Sequence, residues 1–441
     1  WSSASAEAVA KGPQVDQVGW RDFFLSEELR ALIAKGLENN RDLRVAALNI
    51  DVARAQYRVQ RSNLLPTVNA GGSLSREHTP GTLTSSGQGQ TSSTYNATIA
   101  NSSYEIDLFG RLRSLNQAAL EQYFATEEAR TATQISLIAE IANTYLQLLA
   151  DREQQALSEQ TLAAQQASYD IAAQRFNVGI GSQLDLSQAQ TLLETARVDR
   201  LAYTRVVQQD RNALQLLVGA PLTEDELKET FANADRFVGN INPGLPSDLL
   251  QNRPDIREAE HSLIAANANI GAARAAFFPR ISLTAAGGTA GTELSQLFDS
   301  GSGLWSFAPQ ITLPLFTGGS NTANLEVAEA RKNIAVAQYE KAVQGAFRDV
   351  ANALVARETL DDELAAQQKL VDATDTSRNL AEARYTRGVA NYLDVLDAQR
   401  SLYAARQQLI QRRLAMLENT ITFYTSLGGG QSTTVTPPPA Q

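Results

Sequence analysis

The sequence predicts a mainly α-helical, internally duplicated chain with a transmembrane β-barrel part to which the whole chain contributes four strands. Three observations predict this. The chain repeats itself at a nearly constant offset. Each copy holds a helix-forming stretch of about seventy residues, far longer than the helices of ordinary globular domains. Each copy also carries one hairpin of strands that alternate apolar and polar residues.

Internal repetition bounds the organisation. "LENNRDLRVAALNI" from Leu37 aligns with "LQNRPDIREAEHSL" from Leu250 (250 − 37 = 213), and Asp42, Arg44 and Pro66 match Asp255, Arg257 and Pro279. "RFNVGIGSQLDLSQAQ" from Arg175 aligns with "RYTRGVANYLDVLDAQ" from Arg384 (384 − 175 = 209), pairing Gly179 with Gly388 and Asp185 with Asp394. The expected division is therefore an extended N-terminal segment over residues 1–36, a first repeat over 37–219 and a linker over 220–249. A second repeat over 250–428 and a flexible Gly/Pro-rich tail over 429–441 follow.

Breakers set the element lengths. Residues 111–178 contain neither Gly nor Pro, and residues 320–387 contain only Gly345. Both stretches are rich in Ala, Leu, Gln, Glu and Arg, the strong helix formers. Apolar residues step by three and four, as at Ile138, Ile141, Tyr145 and Leu148, or Phe347, Val350 and Leu354. A helix of that length spans roughly 100 Å at about 1.5 Å per residue. Partner helices are expected over 182–218 and 391–427, each stopped by a glycine, Gly219 or Gly428. Taken alone, such helices would equally suit a soluble coiled coil.

The hairpins, expected over about 67–108 and 281–316, weigh against that. After Pro66, Val68, Ala70, Gly72 and Leu74 share one face and Asn69, Gly71, Ser73 and Ser75 the other; "ISLTAAGG" from Ile281 alternates likewise. Tyr95, Tyr104, Phe109, Trp305 and Phe316 lie near the strand ends. Apolar-out, polar-in strands with aromatic girdles mark outer-membrane barrels. Four strands cannot close one, since about eight is the minimum. Two copies would give eight strands and a filled interior, three would give twelve and room for water; the polar inner faces fit the wetter case. Pro309 and Pro314 are expected to mark bends or the end of the last strand.

Composition removes other classes. The 441 residues carry 38 Lys plus Arg against 48 Asp plus Glu, a formal charge of −10, which argues against nucleic acid as a partner. Cysteine is absent, so disulfides and thiolate metal sites are excluded. His78, in a Gly/Ser/Thr loop, reads as a solvated loop residue; His261, on a helix opened by Pro254 and Asp255, reads as structural. No apolar run reaches the length of a transmembrane helix. No nucleophile elbow, P-loop, dinucleotide fingerprint or HExxH occurs, and neither an enzyme nor a cofactor is expected. A chain that begins at Trp1 fits removal of an upstream signal segment.

The duplicated unit, the hairpins after "LLP" and "FFP", the "DLFG" turn from Asp107 and "LDVLDAQRSLY" from Leu393 resemble the TolC-like outer membrane factors. "WRDFF…LRALIAKGLENNRDL" from Trp20 resembles their drug-efflux branch, and the likeness runs from Trp20 to Gly430. It implies a homotrimer in the bacterial outer membrane, in contact with its lipid. Twelve strands would form the barrel and the long helices a periplasmic α-barrel. It implies two partners, a periplasmic adaptor protein and an inner-membrane resistance-nodulation-division transporter, with this chain the passive exit duct for drugs. A channel of the same fold serving type I protein secretion is the alternative. Many relatives carry a lipidated cysteine at the mature N-terminus; this sequence holds none.

The resemblance also implies a periplasmic gate. Leu393 and Asp397 are four apart and Asp394 and Asp397 three apart, so they share a helix face. In a threefold assembly Leu393 would form an apolar ring and Asp394 and Asp397 acidic rings that resist joint ionisation. Tyr385, Asp185 and Arg400 would be bridges of the closed state, opening by an iris-like helix movement. Where some relatives carry a basic residue in the bridge set, this chain has Ala390. The turns at Val178, Gly179 and Ile180 and at Gly388 and Val389 are candidates for adaptor docking. The plainer readings are helix-dipole placement of the acids, an Arg400–Asp397 surface pair and ordinary turn chemistry.

Overall fold

The structure, a computed structural model, describes residue 15 and residues 18–85, 87–239, 241 and 249–431. Most of the expected N-terminal segment before Val18, the linker residues 240 and 242–248, and the tail from residue 432 lie outside the described residues. The principal helices are α1 (Glu27–Asn39), α2 (Arg41–Ser62), α3 (Arg111–Asn177), α4 (Gln183–Val218), α5 (Pro254–Ala275), α6 (Ser320–Thr386) and α7 (Tyr392–Ser426). The strands are β1 (Val68–Thr79), β2 (Gln90–Ile106), β3 (Arg280–Gly291) and β4 (Gly303–Thr312). No described helix is long and apolar enough to cross a membrane.

The N-terminal segment expected to be extended is helical in part. Residues Trp20–Phe23 make one turn, and α1 begins at Glu27. The Ser26 hydroxyl caps it by accepting from the Leu29 amide, and Leu29, Leu32, Ile33 and Gly36 form its buried stripe.

The repeats agree element by element. Helices α2 and α5 both have 22 residues, and α3 and α6 both have 67. They also end alike. Gly219 and Gly428 stand at φ +70° and +87°, and a Cβ there would meet the Asn39 or Asn252 carbonyl oxygen at 2.5 or 2.4 Å. Only glycine has both the left-handed freedom and the missing side chain for this close approach.

The chain divides into two compact units, each drawing on both repeats: Trp1–Leu48, Glu128–Arg257 and Lys341–Gln441 in the first, Asn49–Glu127 and Glu258–Glu340 in the second. The first unit holds the main core. Ile138, Ile141, Tyr145 and Leu148 are fully buried there, together with Val350 and Leu354 of the second repeat. Phe23 stacks on Tyr424 with ring centroids 3.9 Å apart, and Trp20 and Phe24 complete the cluster.

The second unit holds the sheet, ordered β1-β2-β3-β4 and antiparallel throughout. Its register decides which side chains share a face. Ala70, Ile99, Gly287 and Trp305 stand in one row, as do Val68, Asn101, Ala285 and Phe307. A bulge between Asn101 and Tyr104, with Ser103 at φ +57°, inserts one residue into β2. Without it Tyr104 and Ile106 would turn to the polar face; with it they join Leu283 and Ile281 on the apolar one. The opposite face carries Asn69, Ser73, Thr98, Asn96 and Ser306. β4 continues through Pro309 and ends at Thr312, so Leu313 and Leu315 lie beyond the strand; an edge strand tolerates the missing donor. His78 is a residue of β1, not of the loop, and its Nδ1 lies 2.9 Å from Thr91 Oγ1 across the ladder. β1 thus runs on to Thr79, into the segment read as loop, because its ladder with β2 continues to Thr79 and Gln90. His261 Nδ1 lies 2.7 Å from Glu121 Oε2, beside the Phe124 ring, in a helix-helix contact.

Candidate functional site

The gate and docking candidates of the first unit lie where α3 turns into α4 and α6 into α7. Both long helices end in the same device. The Ile180 amide donates to the Arg175 carbonyl and the Gly179 amide to Phe176; Val389 donates to Arg384 and Gly388 to Tyr385. This six-to-one and five-to-two pairing satisfies the last carbonyls of each helix and needs the positive φ of Gly179 and Gly388. The following helices start alike. Ser182 Oγ accepts from the Asp185 amide at 3.0 Å and Asn391 Oδ1 from the Asp394 amide at 3.4 Å. Each turn thereby presents its apolar residues to solvent: Val178 is 70% exposed, Ile180 69% and Val389 65%.

The gate candidates fall into two groups. Leu393, Asp394, Asp397 and Arg400 all lie exposed on the first turns of α7. Arg400 approaches Asp397 at 3.6 Å, a pair within one helix. Tyr385 and Asp185 instead line one cavity of about 530 Å³ between the helix ends. Arg175 closes its side: the guanidinium donates to Tyr385 Oη at 2.5 Å and lies 5.3 Å from the ring centroid. Tyr392 meets the same ring at 5.2 Å, and burial pushes its phenol up. Arg175 and Tyr392 were not singled out from the sequence. The clue was present for Arg175, which matches Arg384 in the repeat alignment.

One layer further along the helices, a charged network joins α6 to α7. Arg378 and Arg406 each reach Asp375 Oδ1 at 3.1 Å, and Arg378 also reaches Glu382. The Arg378 guanidinium beside Asp375 holds that carboxyl below the usual carboxylate range. Gln399 Nε2 donates to Glu382, and Gln165 Nε2 donates to Gln399 Oε1, which carries the network to α3.

The second unit offers a surface of another kind. Trp305, Phe307 and Ile311 of β4 are 81%, 62% and 69% exposed, and Ile99 and Val68 are exposed on the same face. Below the strands, Glu105 receives Arg111 through two bonds of 2.8 Å and Arg280 at 2.5 Å, and Phe109 stacks on Phe278. β1 and β4 are both edges.

Known proteins resemble this chain in sequence and in fold. The sequence profile of the family described as outer membrane efflux protein matches residues 32–220 and 245–429, one block on each repeat. The probable efflux pump outer membrane protein TtgC of Pseudomonas putida is 49% identical over 412 residues, 93% of this chain and 85% of that protein. Outer membrane protein OprJ of Pseudomonas aeruginosa is 44% identical over 434 residues, 98% of this chain and 89% of that protein. The crystal structure of the open state of the Neisseria gonorrhoeae MtrE outer membrane channel superposes with a TM-score of 0.86. It is 42% identical and covers 96% of this chain and 93% of its own.

Proposed function

The chain belongs to the outer membrane efflux protein family, and from that premise we propose that it works as the passive exit duct of a three-component drug-efflux pump. It is an outer-membrane efflux channel of the TolC-like fold, an α-barrel with a β-barrel, reaching from the outer membrane into the periplasm. The proposal adds the homotrimer, the periplasmic adaptor and the inner-membrane resistance-nodulation-division transporter that drives export.

One observation carries the trimer. The four-stranded sheet has two unpaired edges, and the exposed face between them is apolar. In lipid every backbone donor and acceptor must be paired, so β1 of one copy must meet β4 of the next. Three copies give twelve strands with the Asn, Ser and Thr face toward a wet lumen. The adaptor would dock on Val178, Gly179 and Ile180 and on Gly388 and Val389; the apolar exposure of these turns supports that reading.

The gate is proposed at the first turns of α7. Leu393 would give an apolar ring and Asp394 and Asp397 rings of three carboxylates, selecting cations while narrow. Tyr385, held by Arg175, and Asp185 would latch the closed arrangement from inside the cavity, with Arg400 balancing Asp397. With Ala390 in place of a basic residue, Arg175 supplies the cation that touches Tyr385.

The test is twofold. The purified protein should run as a heat-resistant trimer, and deletion should sensitise cells to drugs, reversed by this chain with its cognate pump. Rescue of protein export without rescue of drug resistance would assign it to secretion instead. Asp394→Ala combined with Asp397→Ala should raise single-channel conductance severalfold in planar bilayers; an unchanged conductance removes those carboxylates from the gate.

A further inference from the structure

Two carboxyl groups meet inside the first unit, away from the gate. Asp151 of α3 is 4% exposed, and one of its oxygens accepts from Gln147 Nε2 at 2.5 Å. Asp210 of α4 lies beside Asp151 in the α3–α4 hairpin, where Gln155 Nε2 also donates to Thr204 Oγ1 at 3.4 Å, and the two carboxyls interact. The Asp210 Oδ2 atom is buried and finds no donor. A carboxylate can only accept, so two ionised carboxylates in contact leave an oxygen unsatisfied and repel each other. One retained proton cures both faults, because the protonated carboxyl donates to its neighbour.

The arginines beside the two acids in sequence are paired elsewhere. On α3, Arg152 donates to the Leu227 carbonyl and pairs with Glu224. On α4, Arg211 pairs with the same Glu224. From α7, Gln407 donates to Tyr203, whose phenol is pushed up by burial and by Asp151; Tyr403 donates to Asp199. The two arginines adjacent in sequence to the acids are thus committed to Glu224.

We propose that Asp151 and Asp210 form a binding site for one shared proton, which ties α3 to α4 in the first repeat only. The second repeat shows what the same place looks like without it. The matching positions (151 + 209 = 360 and 210 + 209 = 419) hold Leu360 and Asn419, which line one cavity together, and neither titrates. The Glu418 carboxyl beside Asn419 is raised by burial and not by a second acid. Burial and the neighbouring Asp151 push Asp210 up to about 7. The native value lies above the ordinary 3.8, so the tie is complete below about pH 4 and is lost as pH rises through about 7. Within that window the opening constant of the α3–α4 contact rises about tenfold per pH unit, and it levels off above.

Hydrogen exchange of the full-length oligomer in detergent, corrected for intrinsic rates, reads this directly. Protection across α4 near Asp210 should fall as pH rises from about 5 through about 7 and then stay flat. Asp210→Asn replaces the proton by a fixed N–H donor and should abolish the slope without loosening the contact at low pH. Protection near Asp210 that does not change with pH in the wild type, or a slope retained in Asp210→Asn, overturns the proposal. Should the variant fail to assemble, infrared spectroscopy of the wild type decides. A protonated carboxyl band titrating near neutrality supports the shared proton, and its absence below neutral pH refutes it.

Discussion

Tyr385 and Arg400 show how far one side chain can be read by itself. Arg400 pairs at 3.6 Å with Asp397 three residues earlier, a contact that helical spacing alone suggests. Tyr385 takes its partner from α3, more than two hundred residues away in the chain, and no spacing rule reaches that far. Ile141 was legible because its three-and-four stepping marks a buried face; His78 was misplaced because its pairing opposite Thr91 in the β1–β2 ladder, invisible in local pattern, holds it in a strand. Gly219 yields a prediction at this scale. Its φ of +70° and the Asn39 carbonyl at 2.5 Å from a Cβ position make Gly219→Ala costly. The loss should be roughly 1–3 kcal/mol, measured as a lowered thermal midpoint, and Gly428→Ala should behave alike.

At the scale of elements, the caps decide where the helices begin and end. Ser182 and Asn391 occupy matching positions and each accepts from the amide three residues on. Ser182→Ala should therefore cost about 1 kcal/mol of local stability. Amide exchange should show this as fraying confined to the first turn of α4, with α7 unaffected; fraying of both turns would mean that the hairpins support each other. The long helices were readable from the absence of Gly and Pro. Helix α1 was not, because its thirteen residues are short for a helix that stands alone and its stability comes from burial against the core rather than from propensity. The β2 bulge likewise left no signature in alternation until its partner strand fixed the register.

At the scale of the molecule, the open sheet demands partners. The apolar face that carries Trp305, Phe307 and Ile311 is the one the trimer reading turns toward lipid. Phe307→Arg should destabilise the assembled barrel by about 2–4 kcal/mol near the bilayer midplane. Gel electrophoresis at rising temperature should then show the trimer dissociating earlier than the wild type. A substitution of Ser306, the neighbour on the polar face, to Arg should leave the trimer intact. If both variants behave alike, the assignment of the faces is wrong.

The sequence alone determined the duplication, the long helices, the hairpins and the family, because each is written in local periodicity or in similarity along the chain. The tertiary structure decided which strand faces are shared, that Arg175 holds Tyr385, and that Asp151 lies against Asp210. Those facts depend on register and on contacts between distant segments, and a period of 2 or 3.6 residues says nothing about which segment lies across the gap.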